Sequence, residues 1–249
     1  MKLPYLWIMV AILAMTSCSS HDDAEVVEPE IPPQQEEAVS VEVQFVVSDY
    51  PAFAYQDETI GDDKTAWCDA DEIFVTFTSH SKGTKNAVLT YRGNVWTTDV
   101  NFSYIEGEIP EVTALYAPCY KFVDGTPVLK PNSQLGLSEY ILVQVAVNGD
   151  KANICFTDAS RTYSRLCINT IAEQTLTVTT TGFTPAGTNT EVTETYTIQT
   201  DAQGFVYLYG SFSEGATVKV ESDGVLWTNY TFSSPTKAGE NYKLVVQPP

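Results

Sequence analysis

Basic residues are scarce in this chain and absent from one long stretch of it. The 249 residues contain 13 Lys and Arg against 32 Asp and Glu, which gives a formal net charge of −19. No Lys or Arg occurs from Ser19 to Asp63, so Lys64 is the first basic residue after the amino-terminal segment. Because so acidic a surface repels phosphate groups, the composition excludes nucleic acid as a partner.

Patterns of the common catalytic and metal sites are missing as well. Of the two histidines, His21 lies in an acidic segment and His80 stands between Ser79 and Ser81 in a polar segment. Such a segment is more typical of a solvated turn than of Ser-His catalysis. No CxxC pair, glycine-rich phosphate loop, HExxH motif or EF-hand loop occurs. We therefore predict a protein that is not an enzyme and holds no cofactor or metal.

Carboxylates cluster on either side of Lys64, and this clustering leaves two interpretations. Hard oxygen ligands could form a calcium site, and paired carboxylates could hydrolyse glycosides. The spacing matches no known calcium loop, and no apolar pocket is evident around any of these carboxylates. Surface charge is therefore the better explanation. The residues concerned are Asp57, Glu58, Asp62, Asp63, Asp69, Asp71 and Glu72.

Long apolar runs are absent after the first residues. The run from Leu3 to Met15 follows Lys2 and ends in small residues before Cys18. It is shorter than the roughly 20 residues that span a bilayer, and the pattern is typical of a secretory signal. The letters MTSC fit a bacterial lipobox, which predicts a lipoprotein signal peptide over 1–17 and lipidation of Cys18. A plain secretory signal cut nearby is the alternative.

The residues after Cys18 have too little apolar content to form a core. Residues 18–40 combine prolines, glutamates and paired glutamines, a composition typical of disorder. We expect an acidic tether that holds the folded body away from the membrane. The lipid chains on Cys18 would then make the outer membrane the protein's first partner.

Helical periodicity extends over no more than about two turns, whereas period-two alternation recurs from Val41 onward. In the first such segment Val41, Val43, Phe45 and Val47 share one face. β-Branched and aromatic residues dominate these segments, which predicts strands. The segments are 41–47, 73–79, 87–91, 99–105, 112–116, 140–147, 174–180, 193–199, 204–210, 216–222, 225–232 and 241–247.

Turn signals separate these strands at the spacing of antiparallel sandwiches. Arg92-Gly93-Asn94, Asn148-Gly149, residues 201–204 and Ser222-Asp223-Gly224 are such signals. We predict an all-β fold with two tandem antiparallel β-sandwich domains, 41–148 and 149–249. Each half has about the size of one sandwich.

Four cysteines follow Cys18 in the chain: Cys68, Cys119, Cys155 and Cys167. Export permits disulfides, and four cysteines allow three connectivities that sequence cannot separate. We favour Cys68–Cys119 and Cys155–Cys167 because each pair then lies within one predicted domain. Free buried thiols are the competing interpretation.

Aromatic residues offer one further hypothesis. Trp67, Trp96 and Trp227 could form a platform on which sugars stack. Alternating aromatics such as Phe205, Tyr207 and Tyr209 are more simply explained by packing on the sheet. We therefore keep glycan binding as an alternative function.

The order of several motifs resembles fimbrillin-like lipoproteins of Bacteroidota over about residues 40–247. A Trp and a small-residue–Asp step precede a strand, followed by a Y-x-G-x-x-W hairpin and a strand ending in proline. Three later segments are similar to the second domain of that family. The motifs are TAWCDADEIFV (65–75), LTYRGNVW (89–96), ALYAPCYK (114–121), ANICFTDASRTYSRLCI (152–168), DAQGFVYLYGSFSEGATVKV (201–220) and TFSSPTKAGENYKL (231–244).

The resemblance implies two sandwiches, cell-surface display and a role as fimbrial subunit, anchor, tip or adhesin. It also implies that the acidic run after Cys18 acts as a surface-export signal. Shaft subunits of this family lose their first strand by cleavage at a basic residue, and a neighbour's strand then fills the groove. Here the tether and the first strand contain no Lys or Arg, and Lys64 is the first such residue after them. We therefore expect residues 41–47 to stay in place as a self-complementing first strand.

The combined expectation is an outer-membrane, lipid-anchored and surface-exposed protein with a structural or adhesive role. It would act as fimbrial anchor, accessory subunit or stand-alone adhesin, and not as a polymerising shaft subunit. Other fimbrial subunits and host or glycan ligands are the expected partners. The alternative is a glycan-binding surface lipoprotein of a polysaccharide-uptake system.

Overall fold

The computed structural model describes residues 38–51 and 64–249, and its structural statements concern these residues. The fold is all-β, as predicted, and residues 38–249 form one compact unit. One 3₁₀ turn, Asp158–Ser160, is the helical element of the described part. None of the described residues forms a helix with the length and apolar character needed to cross a bilayer.

Eleven short strands make up the amino-terminal part of the fold. They are β1 (Ser40–Val47), β2 (Glu72–Ser79), β3 (Gly83–Arg92), β4 (Val95–Thr97), β5 (Phe102–Ile105), β6 (Glu111–Tyr116), β7 (Tyr120–Val123), β8 (Thr126–Leu129), β9 (Ile141–Val145), β10 (Val147–Asn148) and β11 (Lys151–Ile154).

Two sheets of this part face one another across a shared core. One has the order β10-β11-β1-β5 and the other the order β4-β3-β2-β6-β9. Alternate side chains of both sheets are buried between them, as period-two patterning requires. Those of the second sheet include Ile73, Val75, Phe77 and Leu89. The result is a β-sandwich.

The β7–β8 hairpin covers part of the outer face of the five-stranded sheet. Phe122 of the hairpin stacks on Phe74 of β2, with ring centroids 5.1 Å apart. Phe74 and Leu115 are buried beneath it. This small third cluster explains why the outer face of that sheet carries apolar residues.

Six longer strands form the carboxy-terminal part in one sheet of order β14-β13-β15-β12-β17, with β16 beside β15. They are β12 (Ser164–Asn169), β13 (Thr175–Pro185), β14 (Val192–Gln199), β15 (Phe205–Ser222), β16 (Val225–Thr231) and β17 (Asn241–Val245).

The second sheet curls around its own core because its two longest strands bend at the same place. The pairing of β13 with β15 shifts between Thr181 and Phe183, at Gly182. Gly182 has a φ of +63°, and a Cβ there would lie 2.8 Å from Ser213 Oγ. Glycine is therefore required by both backbone conformation and close approach. The bend brings both halves of β15 around one buried cluster.

Two strand pairs are parallel, in a fold that is otherwise antiparallel. β1 pairs with β11 and β12 with β17. The domain boundary predicted between residues 148 and 149 stays a prediction. β11 follows this boundary in the chain and lies in the same sheet as β1. The two core clusters do not divide at one point of the chain, because Ala186 belongs to the first and Leu137 packs against the second.

Candidate functional site

The first strand is the element on which the predicted function depends, and both of its edges are paired. Ser40–Val43 pair antiparallel with β5, and Gln44–Val47 pair parallel with β11. The strand therefore lies inside its sheet rather than at an edge. Each half of the strand is thus paired with the protein's own chain on one side.

The side chains predicted to fill the groove point into the first core. Val43 is buried, whereas Val41, Phe45 and Val47 are partly buried and pack against the same cluster. The ring of Phe45 meets that of Phe102 edge-on, with centroids 5.0 Å apart. The four residues that the sequence places on one face of the strand are therefore the ones that contact the first core.

Residues just after β1 are held by contacts from distant parts of the chain. Ser48 donates its N–H to Ile154 O at 2.9 Å. Its own carbonyl accepts the indole N–H of Trp67 at 2.8 Å. The exit of the first strand is therefore fixed on both sides of the backbone.

A buried ion pair holds the residues that follow Ser48. Arg161 donates from Nη2 to Glu139 Oε1 at 2.9 Å and from Nε to Oε2 at 3.2 Å. Nη2 also donates to the carbonyl of Pro51. Arg161 is 1% exposed and Glu139 5% exposed. This bidentate ion pair gives each of the two buried charges a partner. Arg161 in addition links Pro51 to the segment that precedes β12.

Two tyrosines complete the polar cluster around Glu139. Tyr163 donates its hydroxyl to Glu139 Oε2, and Tyr50 donates to Oε1 at 3.3 Å. Tyr163 also accepts the N–H of Tyr140 at 3.1 Å. Glu139 therefore receives donors from three side chains in two segments of the chain. We call residues Tyr50, Pro51, Glu139, Arg161 and Tyr163 the exit cluster.

Burial determines the protonation states in the exit cluster. Burial raises the pKa of Tyr163 well above its ordinary value, and the charge of Glu139 adds to the effect. The pKa of Tyr50 is raised for the same two reasons. Burial alone would lower the pKa of Arg161, but its hydrogen bonds to Glu139 outweigh this and raise it. The tyrosines thus stay neutral donors and the arginine stays charged.

Lys64 lies beside the exit cluster in a cage of aromatic rings. Its Nζ lies 2.6 Å from Asp71 Oδ2. The same atom lies 5.2 Å from the centroid of the Tyr50 ring and 5.7 Å from that of Tyr116. Asp71 Oδ2 also accepts the N–H of Cys68 at 2.7 Å. The first basic residue of the folded part is therefore engaged in a local ion pair.

Two of the carboxylates considered for metal binding, Asp69 and Asp71, have partners within the chain. Asp69 accepts the N–H of Gly93 at 2.9 Å, and Asp71 binds Lys64. Within residues 38–51 and 64–249, no group of three or more His, Cys, Asp or Glu is placed to hold a metal ion. His80 is exposed, while Ser79 accepts the N–H of Lys82 at 3.1 Å and Ser81 donates to Glu108 at 3.0 Å.

The four cysteines of the folded part are free thiols in the structure. Cys68 and Cys155 are exposed, Cys119 is half-buried and Cys167 is buried. The favoured pairs Cys68–Cys119 and Cys155–Cys167 are therefore not formed here. Burial raises the pKa of Cys167 to about 12, although Arg165 and Lys243 act in the opposite direction.

The tryptophans do not form a flat platform. Trp67 meets Tyr50, Trp96 and Tyr116 edge-on, with centroids 5.0 to 5.1 Å apart. Trp67 and Trp96 pack against the first core and Trp227 against the second. Edge-to-face packing hides ring faces from a sugar, so these residues serve the cores.

Several predicted features lie outside the described residues. They are the signal peptide 1–17, the lipidation site Cys18, residues 18–37 of the tether, and the acidic residues Asp57, Glu58, Asp62 and Asp63. In contrast, sequence reasoning missed Glu139 and Arg161. Each looks like a surface charge in a polar loop, and no local pattern shows that the two meet.

Comparison with known proteins gives a weak structural likeness. No protein-family model matches the chain, and no curated protein does. It is similar to a fimbrial protein from Bacteroides ovatus ATCC 8483, with 12% identity and a TM-score of 0.44 over 84% of this chain. The match spans 49% of that protein, about half its length.

Two further solved structures are candidate cell adhesion proteins. The one from Bacteroides fragilis NCTC 9343 has 10% identity and a TM-score of 0.38, covering 82% of this chain and 92% of that one. The one from Bacteroides thetaiotaomicron VPI-5482 has 10% identity and a TM-score of 0.40, covering 82% and 91%. These three similar structures are thus Bacteroides fimbrial and adhesion proteins, at scores too low to argue a shared function.

Proposed function

We propose that this chain is a lipid-anchored, cell-surface protein with a structural or adhesive role and no enzymatic activity. It acts as fimbrial anchor, accessory subunit or stand-alone adhesin, and it does not polymerise by strand exchange. Cys18 carries the lipid, and residues 18–40 are the tether. The membrane contact of the protein is this lipid anchor, and its expected partners are other fimbrial subunits or host ligands.

The observation that carries the proposal is the place of β1. It has four register pairs with each of two neighbouring strands, and its exit is bound at Ser48, Tyr50 and Pro51. A neighbour's strand could enter this groove only after β1 left it. Leaving would break the sheet on both sides of β1 and separate Arg161 from Pro51. The hydrogen bond from the charged Arg161 to the Pro51 carbonyl would alone account for about 1.5–3 kcal/mol.

The surroundings of Lys64 support retention of the same strand. A protease must bind an extended, accessible segment around its cleavage site. The side chain of Lys64 is 23% exposed, and its charge is paired with Asp71. Cleavage after this residue would therefore require local opening of the aromatic cage. The proposal is that such opening is rare in the mature protein.

The mature form of the protein tests strand retention. The chain is extracted from outer membranes, and its mass and amino terminus are determined by mass spectrometry. We expect a single species that begins at acylated Cys18, and a monomer band on unheated detergent gels. A chain that begins after Lys64 and runs as a heat-sensitive ladder would overturn the proposal.

The anchor and the surface location need separate experiments. Cells are fed a radioactive fatty acid, and the Cys18→Ala variant is the control. Label is expected in the unchanged protein and not in the variant. Protease treatment of intact cells should then remove the anchored protein, since it is displayed outside. Complete protection from that protease would contradict surface display.

A further inference from the structure

One edge of strand β16 is open to solvent, and the proposed function does not use it. β16 pairs with β15 and, within the described residues, with no other strand. Three of its apolar and aromatic side chains are exposed: Val225 by 49%, Leu226 by 50% and Tyr230 by 41%. An exposed edge strand of this kind is a template for pairing with a further strand.

Main-chain groups at two positions of this edge point away from β15. Phe232 donates its N–H to Ala216 O at 2.9 Å, and its carbonyl accepts the N–H of Gly215 at 2.9 Å. Residues of an antiparallel pair alternate between those that bond to the neighbouring strand and those that do not. Asn229 and Thr231 therefore direct their N–H and C=O groups outward. Both residues are exposed, and the part of the chain that the structure describes offers these groups no hydrogen-bond partner.

The devices that protect a sheet edge from pairing are scarce along this edge. No charged residue occurs over 224–236, and no proline over 224–234. The other two outer strands of the same sheet differ, because β14 carries Glu194 and β17 carries Lys243. A bulge interrupts the pairing of β15 with β16 before Thr228, so the regular part of the open edge runs over 228–232.

The occupant of this edge has to be a strand, because its unused groups belong to the main chain. The chain carries a net charge of −19, so most of its surface repels a second copy. The β16 edge is uncharged, and a second β16 meets it without placing like charges opposite each other. The strand that fits this edge is therefore β16 of another copy.

We propose that two copies of this chain pair through their β16 edges, antiparallel, about a two-fold axis at Tyr230. In this register Asn229 of each copy faces Thr231 of the other, and the outward N–H and C=O groups of each such pair bond to one another. Tyr230 faces its own counterpart at the closer, non-bonded position, where cross-strand aromatic contacts are favourable. A two-fold contact uses the same surface on both copies and closes, so the dimer does not grow into a fibre. The dimer depends neither on the lipid anchor nor on retention of β1.

Cysteine cross-linking in cells that express the full chain tests the register. Tyr230→Cys is combined with Cys68→Ser and Cys155→Ser, which remove the two exposed thiols. Residues opposite one another at a non-bonded position have Cα atoms about 4.5 Å apart, a distance that a disulfide spans. Mild oxidation should therefore give a covalent dimer that a reducing agent separates. Thr193→Cys in the same background is the matched control, because Thr193 is an exposed residue of the outer strand β14, and this variant should stay monomeric.

Association in solution gives an independent measurement. The full mature chain in detergent is studied by sedimentation, and its dimer should become tighter as added salt screens the repulsion between two acidic copies. Tyr230→Glu places two carboxylates opposite each other and should weaken the dimer roughly tenfold. Asn229→Pro removes an outward N–H that β15 does not use. It should weaken the dimer similarly while the chain stays folded.

Three results would overturn the proposal. The first is a Tyr230→Cys chain that stays monomeric after oxidation, or a Thr193→Cys chain that is cross-linked equally. The second is a cross-linked product that contains a different protein, because the edge would then serve another partner. The third is sedimentation of Tyr230→Glu and Asn229→Pro that matches that of the unchanged chain.

Discussion

Two buried arginines, four residues apart in the chain, each bind one strand: Arg161 the exit of β1 and Arg165 the start of β17. Arg161 lies in the first core region and binds Glu139 and the carbonyl of Pro51, just after β1. Arg165 lies on β12 and donates from Nε to Asn241 Oδ1 at 2.7 Å, at the start of β17. Both side chains are 1% exposed.

The two strands that these arginines bind occupy similar places. β1 and β17 each run parallel to a neighbour, and each comes from a distant part of the chain. Arg161 pairs with the buried carboxylate of Glu139 and donates to the carbonyl of Pro51, whereas Arg165 donates to the amide oxygen of Asn241. The first sandwich should therefore depend more strongly on its arginine, since a buried charge without its partner is costly.

Replacing Arg161 should have the largest effect. Arg161→Met leaves Glu139 buried without its counter-charge and releases Pro51, so we expect a loss of about 3–5 kcal/mol in unfolding free energy. Urea unfolding measures the loss, and hydrogen exchange should show faster exchange of the β1 amides than of the β17 amides. Lys237→Ala, which removes an exposed lysine, is the control. A loss under about 1 kcal/mol would contradict the role of the exit cluster.

Replacing Arg165 should lower the free energy of unfolding by less, and it should loosen a different strand. Arg165→Met removes the hydrogen bond to Asn241 and the contact of its guanidinium with the Tyr207 ring, 4.8 Å away. Hydrogen bonds that involve a charged group contribute about 1.5–3 kcal/mol, and we expect a loss in that range. Exchange should now be faster in β17 and unchanged in β1. Faster exchange in both strands would mean that the two arginines act on one cooperative unit.

Alkaline pH offers a milder way to compare the stabilities of the two parts of the fold. Burial raises the pKa of Tyr50, Tyr116 and Tyr163 around the first core, and that of Tyr196 in the second. A raised folded pKa means that the folded state holds its proton longer than the unfolded state. The associated stability is complete below the unfolded value of about 10 and is lost as pH rises above it.

The first sandwich should accordingly open at lower alkaline pH than the second. Tyrosinate absorbance reports ionisation, while hydrogen exchange on β1 and β17 reports which part opens. Tyr196→Phe should leave the transition of the first sandwich unchanged. Simultaneous opening of both parts at one pH would mean that the tyrosines of the first core do not control its stability.

Much of the fold follows from local sequence patterns, because alternation is a local property. The segment 41–47 predicts β1, observed as Ser40–Val47, and 73–79 predicts β2, observed as Glu72–Ser79. In contrast, 204–210 and 216–222 were expected to be two strands. They form one strand of 18 residues, since the Ser, Glu and Gly between them make a bulge and not a reversal.

Features that depend on distant contacts escape such patterns. β12 is buried on five of its six residues, so it lacks the alternation that marks a strand with one exposed face. Glu139 and Arg161 are 22 residues apart, and their pairing arises from the packing of the segments that carry them.

Thiol labelling perturbs the protein least, and it reports how well the fold protects each cysteine. Cys68 and Cys155 are exposed, so iodoacetamide should modify them within minutes at pH 8. Cys167 should resist, because it is buried between β15 and β17 and the thiolate that reacts is disfavoured by its raised pKa. Mass spectrometry after digestion identifies each labelled site. Protection of Cys68 before reduction, and not after it, would instead indicate a disulfide in the exported protein.

The arginine variants turn this labelling into a local probe. Cys167 pairs in register with Lys243 of β17, so loosening of β17 should expose it. Arg165→Met should therefore increase labelling of Cys167 under native conditions, whereas Arg161→Met should not. If Arg161→Met exposes Cys167 equally, opening at β1 spreads to β17. The two sandwiches would then share one unfolding unit, and retention of the first strand would be a property of the whole body rather than of the exit cluster.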